Sequence, residues 1–389
     1  MKKSTCTRIL LVVLSVLMAI SLVSCAAPTT TAPTETAKPT EPTVLTEPTE
    51  PTNTTEPTKP VHTLLPPQTP NRVKYTVKPS QVLLRELTIK AGLGGEKVII
   101  SQLTDIHLSY YNEEDLKDPV LKETYEKYTF KKDNETLENL QNTLKLAARD
   151  ADLMVITGDL YNYYSQGNMQ TIKEHIFDKY DNVIATLGNH DVDRQCNDCT
   201  LEDPVTYEEL RATVAAGWCN DITYESRIIK DKVMVIALDN NTYYDGGYHF
   251  LPEQVPLLTA DLQKARENGY VVLLFYHVPL LTGDPSDDYT PADKIFSDKS
   301  RQKGSFGTTE GPYGGDCVGA HSTGADKEIY DLITNNGDII YGAFCGHLHG
   351  DFYTEIHAKT ATGEEIMIPQ YVIQGVLYDK GHCLKITIE

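Results

Sequence analysis

Apolar runs that stop abruptly at polar residues set the rhythm of this chain. Val183-Ile184-Ala185-Thr186-Leu187 has the length and continuous apolarity of a buried strand, and it breaks at Gly188-Asn189-His190-Asp191. Four other runs behave alike. Val98-Ile99-Ile100 passes through Ser101 and Gln102 into Asp105-Ile106-His107, and Leu153-Met154-Val155-Ile156 runs into Gly158-Asp159. Val271 to Tyr276 delivers His277, and Ile339 to Cys345 delivers Gly346-His347-Leu348-His349. Between these runs the period turns helical. Leu137, Leu140, Leu144 and Ala147 share one face of a helix predicted over Glu135 to Arg149, and Met169 to Tyr180 predicts a second, so this section reads β-α-β-α-β. Asp203-Pro204 opens a helix from Thr206 to Ala216, and Gln254, Leu258 and Leu262 mark another. Further strands are expected over Ile222 to Ile229, Val233 to Leu238, Phe352 to Ile356, Met367 to Gln374 and Cys383 to Ile388. At the front, Val82 to Lys90, a Gly92-Leu93-Gly94-Gly95 turn and Val98 to Ser101 predict an opening hairpin.

The ends of strands are where open α/β sheets place their chemistry. An Asn amide oxygen can ligate a metal, a neighbouring His can donate a proton or hydrogen bond, and an Asp can orient that imidazole. By itself Gly188-Asn189 is also ordinary turn chemistry, and His190 an ordinary surface residue. In order along the chain, however, Asp-x-His, Gly-Asp, Gly-Asn-His-Asp, His and Gly-His-x-His resemble the motif set of the calcineurin-like metallophosphoesterases, over roughly residues 80 to 389. The resemblance implies an α/β four-layer sandwich, two mixed β-sheets face to face flanked by helices. It also implies a binuclear centre of divalent or trivalent ions (Fe, Mn or Zn). Asp105, His107 and His349 would hold the first ion, Asn189, His277 and His347 the second, and Asp159 would bridge them. A metal-bound hydroxide would then hydrolyse a phosphomonoester or phosphodiester. His190 would contact the phosphate or protonate the leaving group, with Asp191 tuning it through the other ring nitrogen.

Two departures refine this resemblance. His107 stands where the purple acid phosphatases lack a ligand, and their charge-transfer tyrosine has no counterpart, which argues against a tyrosinate-iron chromophore. Asn162 follows Gly158-Asp159 where many members carry Asp, a change expected beside the ligands and not among them. Other readings are a nuclease or cyclic-nucleotide phosphodiesterase of the same superfamily, or a surface-binding lipoprotein without turnover. The complete ligand set argues against the last.

Charge and composition then narrow the partners. A formal charge of −20 disfavours long nucleic acids and leaves small phosphorylated substrates, which a metal centre attracts locally. Lys2, Lys3 and Arg8 precede an apolar stretch from Ile9 to Val23, the layout of a secretory signal. Leu22-Val23-Ser24-Cys25 resembles a bacterial lipobox, which implies diacylation of Cys25, with cleavage after Ala27 or a retained anchor as the alternatives. Residues 1–25 are thus read as a lipoprotein signal peptide and 26–75 as a Thr/Pro/Glu-rich disordered tether, with Glu-Pro-Thr recurring from Glu41, Glu47, Glu50 and Glu56. Extended at about 3.1 Å per residue, the stretch from Ala26 to Pro70 would reach on the order of 140 Å. Residues 76–389 are the catalytic domain. The expected address is outside the cytoplasm, lipid-anchored to a bacterial membrane and exposed at the surface.

An oxidising compartment makes Cys196, Cys199 and Cys219 candidates for a disulfide of open pairing; Cys196-x-x-Cys199 has no second pair to complete a zinc site. Cys345 and Cys383 lie in strand-like runs and read as buried thiols. The long Gly-, Asp- and Tyr-rich stretch from Asp284 to Ala325 carries Lys294, Lys299, Arg301, Lys303 and His321. It is read either as part of the substrate cleft or as a solvated insertion.

Overall fold

The computed structural model describes residues 75–76, 81–127, 133–196, 198–202, 204–218, 221–244, 247–282, 290–291, 324–376 and 381–389. The signal, Cys25, nearly all of the tether, Cys219, Cys317 and most of the 284–325 insertion lie outside them.

Two mixed sheets form the centre. The first carries, from edge to edge, β1 (Tyr75–Thr76), β2 (Gln81–Ile89), β15 (Gly381–Ile388), β3 (Val98–Leu103), β4 (Leu153–Thr157) and β5 (Val183–Thr186). The second carries β11 (Thr290–Pro291), β13 (Phe352–Lys359), β14 (Glu365–Val372), β12 (Ile340–Cys345), β10 (Val271–Phe275), β7 (Val233–Leu238) and β6 (Tyr224–Ile229). A small hairpin, β8 (Thr242–Tyr244) and β9 (Gly247–His249), stands apart.

Strand alternation explains why the apolar runs are continuous. Val233, Val235 and Ala237 of β7 join Leu153, Val155, Ile184 and Ile386 in the layer between the sheets. Met234, Ile236 and Leu238 of the same strand face outward onto Leu258 and Leu262 of helix α5 (Gln254–Asn268) and Ile329 and Ile333 of helix α6 (Ala325–Thr334). Both faces are covered, so neither can be polar. On the far side of the first sheet, Leu140 and Leu144 of α2 (Asp133–Ala147), Met169 and Ile172 of α3 (Gln166–Ile172) and Leu210 and Val214 of α4 (Tyr207–Gly217) complete the fourth layer. The fold is therefore the expected four-layer α/β sandwich.

Local chemistry sets the helix boundaries. At α4 a reciprocal cap operates: Glu209 N donates to Thr206 Oγ1 at 3.2 Å and Thr206 N donates to Glu209 Oε2 at 3.1 Å. The helix expected over Met169 to Tyr180 begins earlier, where Ser165 caps it, and passes into a single π turn at Lys173–Phe177. Helix α1 (Pro119–Lys127) was not anticipated from the sequence. Cys196 and Cys199 form a disulfide, and Cys345 and Cys383 are buried thiols.

The opening hairpin does not form. β15 lies between β2 and β3, parallel to the first from Gly381↔Val82 to Ile388↔Ile89 and antiparallel to the second. The connection after β2 is too long for a tight hairpin, and instead of turning it folds over the chain end, where Ala91 N and Gly92 N donate to Glu389 O at 2.6 and 3.0 Å.

This closure brings a buried ion pair with it. Arg85 on β2, 3% exposed, pairs with Asp351, and its Nη1 donates to His382 Nδ1 of β15 at 2.9 Å. Asp351 Oδ1 in turn accepts from Gln374 N at 2.9 Å, so the segment just after His349 is fastened to both sheets. Arg85→Met should destabilise the protein by about 3 to 5 kcal/mol, because the Asp351 carboxylate stays buried without its counter-charge. Urea unfolding measures this, and a loss below about 1 kcal/mol, the range of an exposed pair, would show that Arg85 does not carry the assigned load.

Candidate metal centre

β3, β4 and β5 run parallel in one sheet, and β7, β10, β12 and β14 run parallel in the other. The loops leaving them lace together beyond the strand ends. Asp105 N donates to Gly158 O at 3.1 Å, His107 N to Asp159 O at 2.9 Å and Gly346 N to His277 O at 3.0 Å. Asp105, His107, Asp159, His347 and His349 all have positive φ, between 46° and 68°. Such conformations are costly for residues with a Cβ and persist only where the surroundings enforce them. Gly158 (φ 81°) and Gly188 permit a close approach of two loops: a Cβ at Gly158 would lie 2.6 Å from His277 Nδ1 and 2.7 Å from Gly188 Cα.

The side chains gather into two adjoining donor sets. In one, His107 Nε2 lies 3.0 Å from His349 Nε2, and His349 Nε2 lies 3.1 Å from Asp105 Oδ1. In the other, Asn189 Oδ1 lies 3.3 Å from His277 Nε2 and 3.1 Å from His347 Nδ1. Asp159 belongs to both, its Oδ2 being 3.5 Å from His107 Nε2 and 3.3 Å from His277 Nε2. Backbone partners aim these groups. Asp159 Oδ1 accepts from His190 N at 2.9 Å, and His277 Nδ1 donates to Thr157 O at 2.7 Å, which presents Nε2 to the other donors. Asp105 Oδ2 accepts from Thr104 Oγ1 at 2.7 Å and from His347 N at 3.1 Å.

Burial opposes the charge on Asp105, yet hydrogen bonds from His107 and His349 outweigh it and hold the carboxyl well below its usual range. Asp159 is likewise lowered against burial, chiefly by His277 and His190, while His277 is raised to about 9, burial being overcome by Asp159. This donor set fits cations. Asp105 Oδ1 is fully buried and accepts no well-aligned hydrogen bond, and a ligand atom from each of Asp105, His107, Asp159 and His349 lies within 4.8 Å of the others. Carboxylate oxygens mixed with imidazole nitrogens suit Fe, Mn or Zn.

His190 and Asp191 are placed differently from each other. The His190 ring packs edge-on to His107, with centroids 4.6 Å apart, and lies 4.9 Å from the Tyr163 ring. Its Nδ1 donates to the backbone carbonyl of Asn162 at 2.5 Å, and burial lowers it to about 4. Asp191 was expected to tune this imidazole, but its carboxylate turns the other way. It accepts from Leu160 N at 2.7 Å and Gly188 N at 2.8 Å, pinning the two loops together because those buried amides need an acceptor. The partner of His190 is thus a main-chain oxygen, for which side-chain identity carries no signal. Tyr163, and Tyr248 at 5.1 Å from the His347 ring, are further neighbours that no motif marked.

The family described as calcineurin-like phosphoesterase matches residues 100–351, and the chain belongs to that family. It is a metal-dependent phosphoesterase with an Asp/His cluster that could hold a dimetal site. Curated proteins provide no match. Among solved structures, a dimetal phosphatase from Danio rerio is similar at 11% identity and a TM-score of 0.41, covering 72% of this chain and 88% of that one. A purple acid phosphatase from yellow lupin (Lupinus luteus) seeds shares 12% identity at a TM-score of 0.39; the match covers 72% of this chain but only 44% of that protein. Phosphopantetheinyl hydrolase from Mycobacterium tuberculosis shares 12% identity at a TM-score of 0.36, covering 72% of this chain and 91% of that one.

Because Asp159 Oδ2 stands in both donor sets, Asp159→Asn should lower the uptake of two metal equivalents, whereas His107→Ala should weaken mainly one. Metal analysis of purified protein decides between them. Two retained equivalents in Asp159→Asn at wild-type affinity would show that the carboxylate is not shared.

Proposed function

We propose that this protein hydrolyses a small phosphomonoester or phosphodiester with two metal ions, outside the cytoplasm. The carrying observation is the Asp159 carboxylate, one oxygen of which faces both donor sets. In this reading Asp105, His107 and His349 hold one ion, Asn189, His277 and His347 the other, and Asp159 joins them. When bound, such a pair supplies Lewis acidity toward the phosphoryl oxygens and acidifies a water to serve as nucleophile near neutral pH. The chain's own groups orient and deliver. The Thr157 carbonyl keeps His277 in the tautomer that offers Nε2, and the His190 amide holds Asp159 Oδ1 so that Oδ2 remains shared.

His190 is assigned to the leaving group. The Asn162 carbonyl fixes its Nδ1–H, so proton exchange falls to Nε2. Burial disfavours the charged imidazole, and the negative charge of a bound phosphoryl group acts in the opposite sense. The formal net charge of −20 supports a small substrate over a nucleic acid. A panel of phosphomonoesters, phosphodiesters and nucleotides, run with metal analysis, tests the whole reading; no turnover of any of them by the metal-loaded protein would refute it.

Two variants examine its parts. His190→Ala should keep both metals and slow kcat by about 10²- to 10⁴-fold for a poor leaving group, with a smaller deficit for an activated aryl phosphate. Equal slowing of both substrates, or loss of a metal, would remove the acid role. For the address, the basic start, the apolar stretch and Leu22-Val23-Ser24-Cys25 support a lipid anchor, and Cys25→Ala should abolish lipid labelling, leaving the protein released or retained as precursor. Lipid labelling of that variant at the wild-type level would overturn the anchor.

A further inference from the structure

The two residues after Asp239, at the end of β7, bond to the backbones of two different ligand loops. Asn240 meets Val278, the neighbour of His277, at both ends of its amide: Nδ2 donates to Val278 O at 2.7 Å and Oδ1 accepts from Val278 N at 3.1 Å. Asn241 Nδ2 donates to Leu187 O, immediately before Gly188-Asn189. Leu187 continues β5 at the edge of the first sheet, whereas Val278 follows β10 within the second. The ladder bonds of neither sheet set the distance between those two backbones. Asp239, Asn240 and Asn241 are each fully buried.

The segment is itself anchored. Asp239 Oδ1 accepts from Asn241 N at 2.9 Å, Asp239 N donates to Thr223 O at 3.0 Å, and the carboxylate pairs with Arg211 of α4. Tyr207 Oη, from the same helix, donates to Asn241 O at 2.5 Å. Asn241 is nevertheless a poor choice for stability alone. Its Oδ1 is buried with no hydrogen-bond partner, a cost comparable with the net gain of one hydrogen bond, and an aliphatic side chain of similar size would avoid it. What the amide contributes is the donor to Leu187 O, together with a side-chain hydrogen bond to Asp239.

We infer that Asn240 and Asn241 are positioning residues. They hold the loops of Asn189 and His277 at the separation that places Asn189 Oδ1 3.3 Å from His277 Nε2, and so preform the second metal's ligand set across the two sheets. This rests on the binuclear reading above. Partners that orient ligands typically change metal affinity by about 10- to 100-fold when removed.

The test is Mn²⁺ titration of the metal-free full chain, followed by electron paramagnetic resonance and thermal melting. Wild type should take up two equivalents and show the signal of a coupled pair. Asn241→Leu should bind one equivalent as before and the other about 10- to 100-fold more weakly, with the signal of isolated Mn²⁺ at limiting metal. Its metal-free melting midpoint should stay within about 4 °C of wild type, since removal of an unpaired oxygen offsets most of what the bonds to Leu187 and Asp239 contribute. Asn240→Ser, acting on the Val278 side, should lose the same equivalent. Folded variants that bind both equivalents with wild-type affinity overturn the inference. So does an Asn241→Leu chain that fails to fold without metal, because the residue would then serve general stability. Wild type that binds fewer than two equivalents overturns the binuclear reading instead.

Discussion

Everything in this structure is conditioned by charge concentrated in the interior. Asp105, Asp159, His107 and His277 are all essentially inaccessible to water, yet their donor atoms point at one another. Buried carboxylates and imidazoles are expensive unless each is paired, and an interior of facing acceptors is stable only when positive charge is shared among them. Some of that compensation comes from the main-chain amides of His190 and His347 and from the side-chain hydroxyl of Thr104. Asp105 Oδ1, buried and without a well-aligned hydrogen bond, marks where a cation would complete the compensation. A binuclear cation site is the arrangement that makes such a cluster affordable.

Crowding the ligands this closely imposes conditions on the backbone. Five of the candidate ligands sit at positive φ, which turns each side chain back over the strand end from which its loop departs. Glycines occupy the points where two loops cross with no room for a Cβ, as Gly158 and Gly188 do. The strain is held by a mesh of main-chain bonds between loops and, farther out, by Asp191, Asn240, Asn241 and the Arg85 to Asp351 pair. These outer residues do not touch the candidate metal positions as ligands do. They determine whether the ligand loops of two separate sheets meet in register, the kind of preorganisation that keeps a metal site from costing reorganisation each time it fills.

The four-layer sandwich is what allows two sheets to contribute to one site. Their inner faces share a single apolar layer, so the ends of β3, β4, β5, β7, β10 and β12 are fixed relative to one another by packing. β15 completes the first sheet from its interior. Arg85 and His382, 297 residues apart in sequence, thereby become part of the frame that supports the His347 to His349 loop.

Each apolar run and its polar end was legible from the sequence, because a strand covered on both faces must be apolar throughout and the break at its end is then conspicuous. Asp105, His107, Asp159, Asn189, His277, His347 and His349 stood out for that reason, and the structure brings all of them together. Three matters were settled only in three dimensions. The opening hairpin yielded to β15, since local turn signals carry no information about a strand arriving from the far end of the chain. Asp191 turned to backbone amides and not to His190, since main-chain donors buried by the fold compete for a carboxylate without leaving a trace in side-chain spacing. No pattern in the sequence marked Asn240 and Asn241; only the packing of one sheet against the other placed their amides on Val278 and Leu187. Sequence patterns report what each strand must bury, whereas the distances between strands of different sheets are a property of the packed core.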